Sequence, residues 1–504
     1  MLGKNENLKY LTSRLAEHKI FVSGDLDEKL LSGINVDALV SRILELYGEA
    51  PGGIKIIKNE DISSAVSELS SEKAPETVEI VRSAEFKPHA AEISSEYSVD
   101  TKEIQQTNGT VNDFINHFKN RFSRIREIIA AHVSANGNPL ASLSLLNSFA
   151  NGREVYIVGM VSRKIVTKNG NILAEIEDQE SNAKIMFMKG TSNTSKALFE
   201  KAGNIVNDEV LAVKGKISGP FVIANEIVWP DVPILSQKKV DEDFAIAFLS
   251  DIHVGSKLFM EKNFSAMINW LNGNPAGRNL DLAGKIKYLV LAGDVADGIG
   301  VYPDQDRDLA IPDMYAQYRL LFNFLEQVPD YIEIFVLPGN HDSVQRAEPQ
   351  PSLPKEIIGD FKKDNIHFLS NPAYITLHGL KILAYHGTSL DSIISNVPNN
   401  SYSRPEKAMV ELLKRRHLSP IHGGNVTVPS PADGMVIDAV PDILHMGHIH
   451  KNGLTAYHGV QVINSGTWQD RTDFQVRQGH IPTPCIMPVF EAQKYKISSV
   501  DFSG

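Results

Sequence analysis

Residues 244–253 read Phe-Ala-Ile-Ala-Phe-Leu-Ser-Asp-Ile-His, an unbroken apolar stretch that ends in the carboxylate of Asp251 and the imidazole of His253. Other apolar stretches end in the same way. Residues 288–294 deliver Asp294 behind Gly293, and residues 332–342 deliver Asn340, His341 and Asp342 behind Gly339. Residues 382–387 deliver His386, and residues 442–450 deliver His448 and His450 behind Gly447. Mixed carboxylate, amide and imidazole donors suit Mn²⁺, Fe²⁺ or Zn²⁺, whereas an all-oxygen set favours Mg²⁺ or Ca²⁺. Two such cations roughly 3.5–4 Å apart need one bridging carboxylate and separate ligands for each. A lone Asp-x-His is common by chance. The ordered set is not, and it predicts a metal site.

These residues must be positioned by strands. Apolar runs bounded by polar residues suit strands buried on both faces of a sheet. Open α/β sheets place catalytic groups beyond the carboxyl ends of such strands. The glycines ahead of Asp294, Asn340 and His448 are expected to permit sharp turns where backbone approaches the ions.

Motif by motif and in the same order, the set resembles the calcineurin-like metallophosphoesterase superfamily. Residues 409–421, 463–469 and 482–488 narrow this to a resemblance, over residues 110–504, to the small subunits of archaeal family D DNA polymerases. The resemblance implies that Asp251, His253, Asp294 and His450 hold one ion. It implies that Asp294, Asn340, His386 and His448 hold the other, with Asp294 as the bridge. His341 would serve the leaving oxygen, and Asp342 would orient His341. The implied cofactor is a pair of divalent ions, Mn²⁺ foremost, with Mg²⁺, Fe²⁺ and Zn²⁺ also compatible. The implied activity is 3′→5′ exonuclease proofreading on single-stranded or mispaired DNA 3′ ends, in a heterodimer with a large catalytic polymerase subunit. The alternatives are a non-catalytic assembly subunit, against which the intact 340–342 triplet argues, and a free metallophosphoesterase.

Length and composition are consistent with this. A chain of 504 residues calls for more than one core. The single cysteine, Cys485, excludes an intrachain disulfide framework and fits a reducing cytosol. No apolar run reaches the ~18 residues of a membrane span, and the amino terminus lacks a signal-peptide core, so a cytoplasmic, nucleoid-associated protein is expected. A net charge of −11 argues against a general nucleic-acid coat protein. A local DNA contact remains open, and the run Lys414, Arg415, Arg416 is its candidate.

Taken in order, the chain predicts a multidomain α+β protein. Residues 1–58 read as a small helical domain, with Asn35 capping a helix of Val36, Leu39, Val40, Ile43, Leu44 and Tyr47 at helical spacing and Gly48 ending it. Residues 59–110, rich in Ser and Glu, read as a flexible acidic linker. Residues 111–150 form a helical connector whose basic residues Lys119, Arg121, Arg124 and Arg126 are expected on a solvated face. Residues 151–235 hold five strands, a hairpin signal at Asn169-Gly170 and a helical piece between the third and fourth strands, the order of an OB-fold barrel. Its aromatics Tyr156, Phe187 and Phe221 are read as core more readily than as base-stacking surface. Residues 240–504 form the phosphoesterase domain, for which the resemblance implies two sheets stacked between helices. His378, His417, His445 and His480 fall outside the motifs and are expected to be structural.

Overall fold

The computed structural model describes residues 4–23, 36–47, 55–71, 83, 86–101, 104, 107–134, 139–274, 277–359 and 361–504. They fall into two compact units, Met1–Ile80 and Val81–Gly504.

The first unit runs α1 (Lys4–Glu17), β1 (Ile20–Ser23), α2 (Val36–Tyr47), β2 (Lys55–Lys58) and α3 (Asn59–Ser71). Val36, Leu39, Val40 and Ile43 are buried as their spacing predicts, with Leu11, Leu15, Ile57 and Ile62. The cap Asn35 and the stop Gly48 lie outside the described residues. The unit differs from the all-helical expectation because β1 and β2 pair in parallel, Ile20 opposite Lys55. Helix α3 occupies the start of the stretch expected to be linker. Its buried Ile62 and Ala65 are spaced for one helix face, too few to stand out against the polar residues around them.

The second unit opens with β3 (Tyr97–Asp100), also within the expected linker, which joins a sheet edge by pairing antiparallel with residues 374–377. A strand of four residues carries little signal of its own, and its partner lies far along the chain. Helix α4 (Val111–Ser134) then buries Phe122, Ile125, Ile129 and Val133 against barrel residues including Tyr156 and Val158. Its basic face is not uniformly solvated. Arg121 is buried and its Nε donates to Asp433 Oδ2 at 2.7 Å, while Arg124 pairs with Asp438.

A closed barrel follows, built of β4 (Glu154–Val166), β5 (Ile172–Glu177), β6 (Asn182–Phe187), β7 (Val210–Ser218) and β8 (Phe221–Val228), in the order β4-β5-β6-β8-β7. Helix α5 (Asn193–Gly203) sits between β6 and β7 in the chain, where the OB-fold order puts it. Gly170 takes a φ of +77° in the β4–β5 hairpin turn, a conformation that only glycine adopts without penalty. Phe187 is fully buried in the barrel core and Tyr156 faces α4.

The remaining chain forms two six-stranded sheets. Their elements, in order, are β9 (Ala245–Leu249), α6 (Glu261–Leu271), α7 (Leu280–Lys285), β10 (Ile286–Ala292), α8 (Met314–Glu326), β11 (Glu333–Leu337), α9 (Lys355–Ile358), β12 (Ile366–Phe368), β13 (Ala373–Leu377), β14 (Leu380–Ala384), α10 (Leu390–Asn396), α11 (Pro405–Arg415), β15 (Ile443–Met446), β16 (Asn452–Tyr457), β17 (Val460–Ser465), α12 (Asp473–Gln478), β18 (Ile486–Glu491) and β19 (Lys496–Asp501). One sheet has the order β12-β11-β10-β9-β18-β19 and the other β16-β17-β15-β14-β13-β3.

The period-2 geometry of a strand explains the apolar run of β9. Phe244, Ile246 and Phe248 point toward the second sheet and meet Ile382, Ile443 and Ile463. Ala245, Ala247 and Leu249 point the other way, into the layer of α6 and α8 with Phe264, Trp270 and Leu321. On the far side, α10 and α11 cover the second sheet through Ile393, Leu412 and Leu413. The architecture is helix, sheet, sheet, helix. Truncating a residue such as Phe248 at its centre would cost about 3–5 kcal/mol.

Candidate metal centre

Each chemically active motif follows the carboxyl end of a parallel strand. Strand β9 ends at Leu249, just before Asp251 and His253; β10 ends at Ala292, before Asp294; and β11 ends at Leu337, before Asn340 and His341. From the second sheet, β14 ends at Ala384 before His386, and β15 ends at Met446 before His448 and His450. Strands β9, β10 and β11 are parallel neighbours, as are β14 and β15, so these ends gather at shared sheet edges.

The side chains meet there. His450 Nε2 stands 3.3 Å from Asp251 Oδ1 and 3.0 Å from His253 Nε2. His386 Nε2 stands 3.3 Å from Asp294 Oδ2 and 2.9 Å from Asn340 Oδ1. Asp294 Oδ2 is also 3.9 Å from His253 Nε2, which places this carboxylate between the two halves. Asp251, Asp294 and His386 are at most 2% exposed. The His448 ring lies 5.2 Å from the His386 ring, with its backbone N–H donating to Asp251.

The backbone is strained to achieve this. Asp251, His253, Asp294, His448 and His450 all have positive φ, between +50° and +69°, a conformation that costs of order 1–3 kcal/mol for a non-glycine residue. The adjacent glycines serve close approach as much as turning. A Cβ on Gly339 would lie 2.5 Å from Asp294 N, and one on Gly293 would lie 2.6 Å from His386 Nδ1. Of the glycines at 293, 339 and 447, only Gly293 has a positive φ.

The outward nitrogen of each imidazole is engaged. His253 Nδ1 lies 3.0 Å from Asp297 Oδ1, and His386 Nδ1 donates to Ala292 O at 2.9 Å. His450 differs: its Nδ1 accepts from Gln475 Nε2 at 2.8 Å, which puts the proton of the neutral ring on Nε2, 3.3 Å from Asp251 Oδ1. In His448 the outward atom is Nε2, 2.9 Å from Asp391 Oδ2, which leaves Nδ1 as its inward donor. Such outer partners fix the tautomer and orientation of metal-ligating histidines. Asp297, Asp391 and Gln475 were not singled out from sequence. Asp297 follows Asp294 by three residues and Asp391 follows His386 by five, so both had a positional signal, but Gln475 had none.

Charge gives a test of whether cations fit. Burial disfavours the imidazolium of His386, yet Asp294 and Asp251 outweigh it and raise its pKa to about 10. Burial likewise opposes charge on His253, and Asp297 and Asp294 raise it to about 9. The buried carboxylates thus hold protons on imidazoles that lack another positive charge nearby. A site of this kind, with carboxylate, amide and imidazole groups turned inward and imidazoles that become donors on giving up those protons, matches the needs of divalent cations.

His341 sits at the rim. Its Nδ1 donates to Asp297 O at 2.8 Å, and its Nε2 stands 4.0 Å from Asp294 Oδ2. Asp342 does not orient it. The Asp342 carboxylate is turned the other way and accepts from the N–H groups of Val295, Ala296 and Gly339 and from the Tyr318 hydroxyl at 2.8–3.2 Å. It ties the Asp294 loop to the Asn340 loop. Burial, then the Asp294 charge, pushes its pKa up to about 6 against those donors.

The basic run is also reassigned. Arg415 is 1% exposed, with its Nε 2.6 Å from Glu209 Oε2, and Arg416 is 3% exposed and donates to Ile437 O at 2.7 Å. Lys414 bonds Glu411 at 2.7 Å. The two guanidiniums are spent on joining the barrel to the sandwich, and buried charges with partners are not available to a strand of DNA. His378, His417, His445 and His480 bond or stack elsewhere, on Tyr288, Asp433, Ser465 and Tyr402.

The family model for the B subunits of DNA polymerases alpha and epsilon matches residues 246–452. The DNA polymerase II small subunit of Archaeoglobus fulgidus is 43% identical over 384 residues, covering 76% of this chain and 75% of that one. Its counterpart in Methanothermobacter thermautotrophicus is 39% identical, covering 78% of this chain and 80% of that one. That of Methanocaldococcus jannaschii is 41% identical over 77% of this chain, which spans 64% of the relative's length. With these strand-end donors in place and relatives matched at this level, the chain belongs to the family of archaeal DNA polymerase II small subunits.

Proposed function

We propose that this chain is the metal-dependent 3′→5′ exonuclease subunit of an archaeal replicative DNA polymerase, that it acts at the nucleoid on single-stranded or mispaired 3′ ends, and that its partner is the large catalytic subunit. The observation that carries the reading is the convergence of Asp251, His253, Asp294, Asn340, His386, His448 and His450 from separate strand ends, with His341 beside them. In this reading Asp251, His253, Asp294 and His450 hold one divalent ion, and Asp294, Asn340, His386 and His448 hold a second, Mn²⁺ in preference to Mg²⁺. When bound, such ions neutralise the phosphodiester and acidify the attacking water.

The protein's own groups do the rest. Asp294 lies between the halves and sets their separation. The Asp297 carbonyl fixes the His341 Nδ1 proton, so Nε2 is the nitrogen that faces the reaction. Water oxygen bonds to phosphorus and the bond from phosphorus to the 3′-oxygen breaks. That oxygen takes a proton from Nε2 of the imidazolium form of His341, a form that burial disfavours and that the proton released by the attacking water restores. Among the described residues no helix is long and apolar enough to cross a membrane.

The test is incubation of the purified chain, alone and with its large partner, on 3′-labelled single-stranded DNA with Mn²⁺. Release of labelled mononucleotide is expected. A label that stays on the DNA under both conditions refutes the reading.

A further inference from the structure

Next to His341 lies a cavity of about 500 Å³ whose floor includes Asn340 and His341. That volume is in the ~300–1,000 Å³ range of small-molecule sites. Its lining is mixed: Ile299, Val301, Met314, Val344 and Pro351 contribute apolar surface, and Ser343, Gln345 and Ser352 contribute polar surface. Asp342 also borders it, but that carboxylate is occupied by backbone donors. The single cation of its lining is Arg346. Arg346 Nη2 donates to Gly300 O at 2.9 Å and Val301 O at 3.0 Å, and no carboxylate among the described residues pairs with it. Ile299 is 45% exposed and Tyr302 38% exposed, with the Tyr302 ring 6.3 Å from that of His341.

A slot open to water with both apolar and polar lining, a tethered but unneutralised guanidinium, and residues shared with the phosphoryl-transfer site call for one kind of ligand. It must be flat and apolar on one part, anionic on another, and continuous with the scissile phosphate. We propose that this cavity is a nucleotide subsite: its apolar wall stacks the unpaired base next to the scissile bond, and Arg346 holds an adjoining backbone phosphate. The proposal rests on the exonuclease reading and deepens it. Contact between the face of a base and apolar side chains such as Ile299 and Val301 is indifferent to base identity, because every base presents such a face. The subsite therefore selects for a base that has left the duplex, and not for a sequence. It also supplies positive charge for DNA that the buried Arg415 and Arg416 do not.

The test uses the full chain with Ile299→Ser and Arg346→Ala, both at exposed positions. Binding of a short fluorescent oligothymidylate is followed by anisotropy in Ca²⁺, and cleavage in Mn²⁺ is compared with hydrolysis of methyl p-nitrophenyl phosphate. Each variant should weaken oligothymidylate binding on the order of tenfold. The ratio of kcat/KM for DNA to that for the small diester should fall by a similar factor. An oligonucleotide abasic beside the scissile bond should bind wild type as weakly as it binds Ile299→Ser, because both lack the stacking contact. A wild type that does not bind oligothymidylate, or variants that bind and cut DNA as well as wild type, overturn the subsite. A wild type that shows these binding preferences yet cuts no DNA leaves the subsite standing and removes the exonuclease activity instead.

Discussion

Replacing Gly339 by alanine tests whether the site depends on a close approach between two loops. The added Cβ would lie 2.5 Å from Asp294 N and 2.9 Å from Asp294 Cγ, closer still to Oδ1, where ordinary contacts begin at 3.4 Å. The obstacle is backbone and a buried carboxylate, so a flexible side chain cannot swing clear. One loop must move by about 1 Å, and a displacement of that size at a reacting centre can cost about 10²-fold in rate. The His341 N–H bond to Asp294 Oδ1, 2.8 Å long, is lost in the same movement. Because Asp294 stands between both halves of the site, the variant should lose metal from both and not from one. Overpacking of this kind costs about 1–3 kcal/mol, so the protein should remain folded. The assay is metal content after gel filtration in Mn²⁺, hydrolysis of 3′-labelled DNA, and thermal melting, with Gly203→Ala as control because a Cβ there meets nothing within 4 Å. Gly339→Ala with wild-type metal content and wild-type rate would falsify the bridging role given to Asp294.

His341→Ala should keep its metal, because its outward bond is to a carbonyl and not to a ligand, yet lose roughly 10²–10⁴-fold in hydrolysis; metal analysis paired with single-turnover cleavage decides, and full cleavage sinks the acid role. Metal binding at pH 8 should release about two protons, since His253 and His386 carry raised pKa values of about 9 and about 10 without metal and must be neutral to ligate. Calorimetry in buffers of different ionisation enthalpy measures this, and a heat independent of buffer contradicts it. Stability should fall as the pH drops from about 6.5 toward 4. His417 is held neutral by burial and by Arg121, with a folded pKa of about 4, so the unfolded chain takes up the proton first. That linkage is worth on the order of 3 kcal/mol at the acid end, and urea midpoints that stay level across the window would contradict it. Ser419 N–H donates to His417 Nδ1 at 2.9 Å, the nitrogen that acid would have to protonate.

Much of the site was legible because its signal is local. Each ligand follows a run of apolar residues within a few positions, and the strands that carry them need no partner to be recognised. What failed was inference from one residue to its neighbour. Asp342 follows His341 in the chain but faces the opposite way, toward Tyr318 and the Asp294 loop. The His341 ring is held instead by Asp297, which arrives from another strand end. Lys414-Arg415-Arg416 read as a surface charge run because Glu209 and the carbonyl of Asn204, which bury Arg415, lie about two hundred residues earlier. Elements α3 and β3 were hidden by a different limit. Their apolar positions are so few that helix or strand is decided by tertiary partners, as when residues 97–100 pair with β13.

The strain at the centre explains why so much apolar structure surrounds it. Five of the proposed ligands occupy left-handed backbone, together a burden of order 5–15 kcal/mol, comparable to the whole net stability of a typical domain. Such conformations persist only where the surroundings over-determine them. The two sheets do this by burying β9, β10 and β15 on both faces. Bonds across the loops then lock the turn residues themselves: Asp251 N to Gly293 O at 2.9 Å, His253 N to Asp294 O at 3.0 Å, and Asp342 to three backbone N–H groups. None of these bonds involves an ion. The turns that carry the proposed ligands are therefore fixed by the fold itself, the kind of preorganisation that the proposed metal site would require.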